Sequence, residues 1–137
     1  MEPMEPNSRD EPPTARDERL LDDAAVAALE ADVGEHRLVP VMASFAEELA
    51  RRMPALQSAL DAGDVATVGR ETHSIKGSAL TFGALALGAA ARRSNDASRT
   101  GDAATALGAA REVVELMPRT RDVVLRLVAS RTEVQRQ

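Results

Sequence analysis

The chain contains no cysteine, no tryptophan and no tyrosine, and its only aromatic residues are Phe45 and Phe82. Without thiols it can form no disulfide, thiolate nucleophile or zinc-thiolate cluster, and nothing points to an oxidising compartment. The two histidines, His36 and His73, cannot close a structural metal site by themselves. Hydrophobic residues make up 44% of the 137 positions but aromatics only 1%. A core must therefore be built from Leu, Val, Met and Ala, which favours close-packed helices over strands. The net charge of −5 and the lack of stacking rings argue against a general nucleic-acid binder. The opening residues, Met1-Glu2-Pro3-Met4-Glu5-Pro6, are acidic and proline-broken, whereas a secretory signal is basic and then apolar. The longest apolar run, 79–91, is interrupted by Thr81, Gly83 and Gly88. It is too short to cross a bilayer of about 30 Å at about 1.5 Å per helical residue. A cytoplasmic location with no membrane contact is expected.

What the sequence does contain is helical periodicity behind a polar leader. Residues 1–17 hold Pro3, Pro6, Pro12 and Pro13 and five acids against two arginines. Such a segment cannot offset its own ordering entropy and is expected to be a disordered acidic tail ahead of a helical bundle over 18–137. Leu21, Ala25 and Ala28 predict a short first helix ending near Gly34. Leu38, Met42, Phe45, Leu49, Met53, Leu56 and Leu60 then form one stripe of a long helix, with a kink expected at Pro54. Asp64 caps a third helix that carries Val65, Val68, Thr72, Ile75, Ala79 and Phe82 and stops at Gly83. An alanine-rich fourth helix runs from Ala84 to about Thr100. A fifth runs from Asp102 to about Arg131 on Leu107, Ala110, Val114, Met117, Val124 and Val128, with a bend expected at Pro118. Short connections favour antiparallel neighbours, so the expected fold is all-α: an antiparallel up-down four-helix bundle with a short N-terminal capping helix. A monomer is expected, because the apolar stripes are consumed within one bundle.

The segment richest in chemistry is Glu71-Thr72-His73-Ser74-Ile75-Lys76-Gly77-Ser78, in the middle of the third helix. If Thr72 and Ile75 face the core, the helical pitch turns His73 about 100° away, toward solvent. Ala66, Gly69, Arg70, Lys76, Gly77 and Leu80 share its face. Two mid-helix glycines flank the histidine although each costs about 1 kcal/mol relative to alanine. Their absent side chains are expected to give a partner access to the imidazole. Arg70 and Lys76, the only lysine in the chain, place positive charge one turn to either side, and Leu80 offers an apolar docking contact. The plainer reading, a solvated face in an Ala/Gly/Arg-rich chain, stands beside this one. His36, between Glu35 and Arg37, has no such company and reads as an ordinary solvated residue. The stretch from Arg119 to Gln137 holds five arginines against two acids; it could meet an acidic partner, and a solvated helix face explains it equally.

His73-Ser74-Ile75-Lys76-Gly77-Ser78, followed by Gly83, resembles the H-x-x-K-G-[SA]-x-x-x-x-G signature of histidine-containing phosphotransfer (HPt) domains. The resemblance extends over roughly residues 20 to 130. It takes in the Ala62-Gly63-Asp64 turn before the signature helix and the Gly101-Asp102 turn after the next. It implies a phosphorelay intermediate in which neutral His73 takes a phosphoryl group from a receiver-domain aspartate and passes it to another receiver. By the same resemblance, Lys76 offsets charge on the phosphoryl oxygens. Gly69, Arg70, Gly77 and Leu80 belong to the partner-facing surface, and Ser78 serves either a hydrogen bond or helix packing. Many members carry Glu or Gln on the following helix, reaching toward the histidine; this chain has the shorter Asn95. The implied partners are response-regulator receiver domains and a hybrid sensor kinase. No cofactor is expected on this chain, the Mg²⁺ being supplied by the receiver. The implied protein is a phosphocarrier without kinase activity of its own.

Two other readings remain at this level. A sensor-kinase dimerisation and phosphoacceptor domain also presents a helical histidine, but such domains generally place an acid directly after it, where this chain has Ser74, and no Gly-rich nucleotide-binding region follows. A non-phosphorylated helical adaptor would leave His73 incidental. The carboxylates are scattered over helix faces and form no hydrolase-like grouping.

Overall fold

The computed structural model describes residues 20–136, and the expected acidic tail at 1–17 lies outside the described residues. Five helices and no strands are found within them: α1 (Asp23–Val33), α2 (Glu35–Asp61), α3 (Val65–Phe82), α4 (Leu85–Arg99) and α5 (Ala103–Arg136). Helices α2 and α5 continue through Pro40, Pro54 and Pro118.

The helix boundaries follow from local chemistry. The Asp22 carboxylate accepts the Ala25 amide at 2.9 Å and starts α1. Asp64 accepts both the amide of Thr67, at 3.1 Å, and its hydroxyl, at 2.6 Å, and starts α3. Asp102 accepts the Thr105 amide at 3.1 Å and starts α5. These contacts satisfy amides that have no partner within the first turn. Gly83 ends α3 in the left-handed region, at φ 84°, where a side chain would be strained. Its carbonyl accepts the Asp22 amide at 2.8 Å, which pins the start of α1 across the end of α3.

Cross-helix contacts define the bundle. Arg52 meets Glu71 and Ser78 meets Glu48, so α2 and α3 run antiparallel. The Ser94 hydroxyl donates to the Ala106 carbonyl and Arg93 pairs with Glu112, so α4 and α5 do the same. Helix α5 packs back on α2 and closes the ring, while α1 contacts α2 and α3. Leu38, Met42, Phe45, Leu49 and Leu56 of α2 meet Val68, Ile75 and Ala79 of α3, Leu87, Ala90 and Ala91 of α4, and Val113, Met117 and Val124 of α5 in one core. Each large apolar side chain removed from water in this way contributes about 1.5–3 kcal/mol. The two aromatics stack on each other, Phe45 on Phe82, with centroids 4.7 Å apart. On α5, Ala110, Met117 and Val124 of the expected stripe are fully buried together with Ala106, Val113 and Thr120, whereas Leu107, Val114 and Val128 lie half-buried. Among the described residues no helix is long and apolar enough to cross a membrane.

Hydrogen bonds from the Thr67 hydroxyl and amide hold the Asp64 carboxyl below its ordinary value, and those from Thr105 do the same for Asp102. A depressed carboxylate stabilises the fold fully above its unfolded value of about 3.9, and that contribution is lost as pH falls through the lower folded value. Between pH 4 and pH 2 the melting temperature of an Asp64→Ala/Asp102→Ala protein should therefore fall less steeply than that of the parent. Equal slopes would remove the two caps from the acid response.

Candidate functional site

His73 sits at mid-helix in α3 with its side chain exposed. It borders an open groove of about 630 Å³ between α3 and α4, lined by Ala66, Gly69, Arg70, His73 and Ser74 on one side and by Asn95, Ser98 and Arg99 on the other. Antiparallel packing builds this groove. Ser98 Oγ donates to the Val65 carbonyl at 3.3 Å, Asn95 Nδ2 donates to the Gly69 carbonyl at 3.0 Å, and Leu80 lies over Gly88. The Gly83-Ala84 turn fixes that register, so the last turn of α4 comes to lie beside the first turns of α3.

The two glycines that flank His73 differ in environment. Gly77 is exposed, and a Cβ added there would meet nothing within 4 Å, so the surface after the histidine is open. Gly69 does not provide the access expected of it. It is buried, and a Cβ there would lie 2.2 Å from Ser98 Oγ and 3.0 Å from Ser98 Cβ. Helix α4 fills the space that the missing side chain leaves.

The remaining expected residues divide in the same way. Lys76 is half-buried one turn beyond His73 and makes no ion pair among the described residues. Arg70 is exposed, and its guanidinium donates to Thr67 Oγ1 at 2.9 Å. Leu80 is 47% exposed, with Leu85 at 43% just across the turn. Ser78 is not on this surface: five residues carry it about 140° around the helix from His73. Its hydroxyl donates to Glu48 Oε1 of α2 at 2.9 Å, which is a packing contact. Asn95 is buried and lines the groove, but no hydrogen bond joins it to the imidazole; its amide serves the Gly69 carbonyl, and its Oδ1 has no partner. His36 is exposed at the start of α2, away from the groove.

Of the residues lining the groove, Ser98 and Arg99 had no place in the sequence reading, while Ala66 was placed on the His73 face and Ser74 beside the histidine without a role. Arg99 makes no ion pair among the described residues and faces the groove from the last turn of α4. The usable signal was its spacing of four from Asn95, which places both on one face of the helix. The groove thus gathers one exposed imidazole, guanidinium groups from both walls and no carboxylate. Such a set suits an anionic group carried to the imidazole, and it holds no general base. No group of three or more metal-ligating side chains occurs among the described residues.

A family model described as the Hpt domain matches residues 40–127. The chain is also similar to a solved structure, histidine-containing phosphotransfer protein B (HptB) from Pseudomonas aeruginosa PAO1. The two share 28% identity over 86% of this chain and 96% of that one, with a TM-score of 0.67. No curated protein matches the chain.

Replacing Gly69 by alanine should separate α3 from α4. The gain in helix propensity, about 1 kcal/mol, is outweighed by overpacking of about 1–3 kcal/mol against Ser98. Gly69→Ala is expected to lower the melting temperature, and adding Ser98→Gly, which removes the colliding atoms, is expected to restore part of the loss. A Gly69→Ala protein as stable as the parent would contradict the close approach.

Proposed function

The chain belongs to the histidine-containing phosphotransfer family, and from that premise we propose that His73 is the phosphoryl carrier between two receiver domains. The observation that carries this reading is the exposed imidazole beside an open Gly77, on a groove whose charged side chains are all cationic.

The transfer needs little from this chain beyond presentation. Nε2 of neutral His73 attacks the phosphorus of a receiver's aspartyl phosphate. The N–P bond forms as the P–O bond breaks, and the aspartate leaves as a carboxylate carrying the electron pair. The return step reverses these roles with a second receiver. Arg70, Arg99 and Lys76 offset charge on the phosphoryl oxygens, Lys76 as a mobile point charge and the arginines as planar forks. Leu80 and Leu85 present apolar surface beside the same face, where a receiver would dock. Magnesium and most of the transition-state stabilisation come from the receiver, as befits phosphoryl transfer dominated by positioning and electrostatics. The protein is on this reading a carrier with no kinase activity of its own, working in the cytoplasm as a monomer with receiver domains and a hybrid sensor kinase.

The direct test mixes the protein with a phosphorylated receiver and looks for acid-labile, alkali-stable phosphate on the chain. Label should appear on the parent and be lost in His73→Gln; persistent label in that variant would place the acceptor elsewhere. Gly77→Gln tests access separately. Since nothing packs on Gly77, the variant should keep or slightly raise its melting temperature. Its transfer rate should fall by about a hundredfold, the scale of loss when reacting groups are held apart. A folded Gly77→Gln protein that transfers at the parental rate would refute the access argument.

A further inference from the structure

Asn95 is an unexpected residue at its position. It is 4% exposed on an alanine-rich helix, where it forms helix poorly and where an apolar side chain would pack without polar cost. Half of its amide is unsatisfied: Oδ1 is buried with no hydrogen-bond partner. The other half is specific. Nδ2 donates at 3.0 Å to the carbonyl of Gly69, which also receives the Thr72 hydroxyl at 3.3 Å. In an α-helix the carbonyl of residue 69 accepts the amide hydrogen of residue 73. The atom that Asn95 grips is therefore the one that closes the helical turn carrying His73. The grip is possible only because Gly69 lets α4 approach this closely.

We propose that Asn95 is a positioning residue which acts on His73 through the backbone, holding the 69–73 turn at a fixed distance from α4, and not through a hydrogen bond to the imidazole. The proposal rests on the phosphorelay reading above. In it, α4 sets where the ring stands over the groove, while the ring itself stays free of α4 and available to an incoming phosphoryl group. Asn95 touches neither the phosphate nor the partner.

Two substitutions of similar volume separate the backbone role from the direct one. Asn95→Leu removes both donor and acceptor. Asn95→Asp keeps an acceptor toward the groove but replaces the donor that serves the Gly69 carbonyl. Phosphoryl transfer from a receiver is measured as a function of receiver concentration, alongside amide hydrogen exchange and the melting temperature. Both variants are expected to lose transfer rate about five- to tenfold, the effect of one hydrogen bond, with the half-saturating receiver concentration unchanged. The His73 amide should exchange faster than those of Ile75 and Ala79 on the same helix. An Asn95→Asp protein that transfers at the parental rate while Asn95→Leu does not would overturn the proposal in favour of the acceptor. So would exchange that rises evenly over α3 and α4, which marks a structural role only, or a His73 amide unchanged in both variants. If the parent takes no phosphate from any receiver, the relay reading fails instead, and the exchange at His73 still decides whether Asn95 holds the turn.

Discussion

The structure depends on the distance between α3 and α4 at Gly69. With no side chain there, Ser98 and Asn95 of α4 reach the backbone of α3 directly, at the carbonyls of Val65 and Gly69. The same closeness brings the groove faces of Arg70 and Arg99 to opposite walls of one opening. Small residues sustain the approach along the helix: Gly88 lies under Leu80, and Ala90 and Ala91 fill the core side of α4. Two hydroxyls buried in this region find backbone partners, whereas Asn95 Oδ1 has none. The Thr72 hydroxyl donates to the Val68 carbonyl and the Ser94 hydroxyl to the Ala106 carbonyl, so both residues are buried without losing their hydrogen bonds.

Helix α3 is thereby held on three sides and open on one. Val68, Thr72, Ile75 and Ala79 face the core. Toward α2, Ser78 and Glu71 join a half-buried chain through Glu48 and Arg52. Toward α4 lie the contacts at Gly69. His73, Gly77 and Arg70 occupy what remains exposed. On the proposed phosphorelay role, a carrier meeting more than one partner needs its reactive side chain on a rigid element, presented without an enclosing pocket, and this arrangement is consistent with both requirements.

Features set by the chain's own periodicity were legible in the sequence. The stripe of α2 holds nearly throughout, with Leu38, Met42, Phe45, Leu49 and Leu56 all buried, because large residues alternate sharply with charge there. On α5 the buried arc is wider than the expected stripe: Ala110, Met117 and Val124 are buried as expected, but Ala106, Val113 and Thr120 join them while Leu107 and Val114 lie half-buried. Alanine and valine spread the apolar pattern over too wide an arc for spacing to choose between neighbours. The outward turn of His73 followed from helical pitch. What pitch cannot give is the identity of the facing residue. Gly69 and Gly77 both lie near His73 on a helical wheel, yet only the register across the Gly83 turn shows that Ser98 covers one and nothing covers the other. Asn95 and Arg99 entered the groove by that same register, and Ser78 left it for Glu48.

The contrast between the two glycines bears on why the surface exists. A glycine inside a helix costs about 1 kcal/mol wherever it occurs. At Gly69 the cost is offset within the fold, since any side chain would push α4 away and break the contacts it makes. At Gly77 the isolated chain offers no compensation: the position is exposed, its φ needs no glycine, and an added Cβ would meet no neighbouring atom within 4 Å. Alanine there would stabilise the protein without disturbing a neighbour. Gly108 of α5 is just as exposed and open, so openness alone does not mark a site; what distinguishes Gly77 is its place one turn after His73. The space that Gly77 leaves is adjacent to the imidazole, so whatever approaches across it approaches His73.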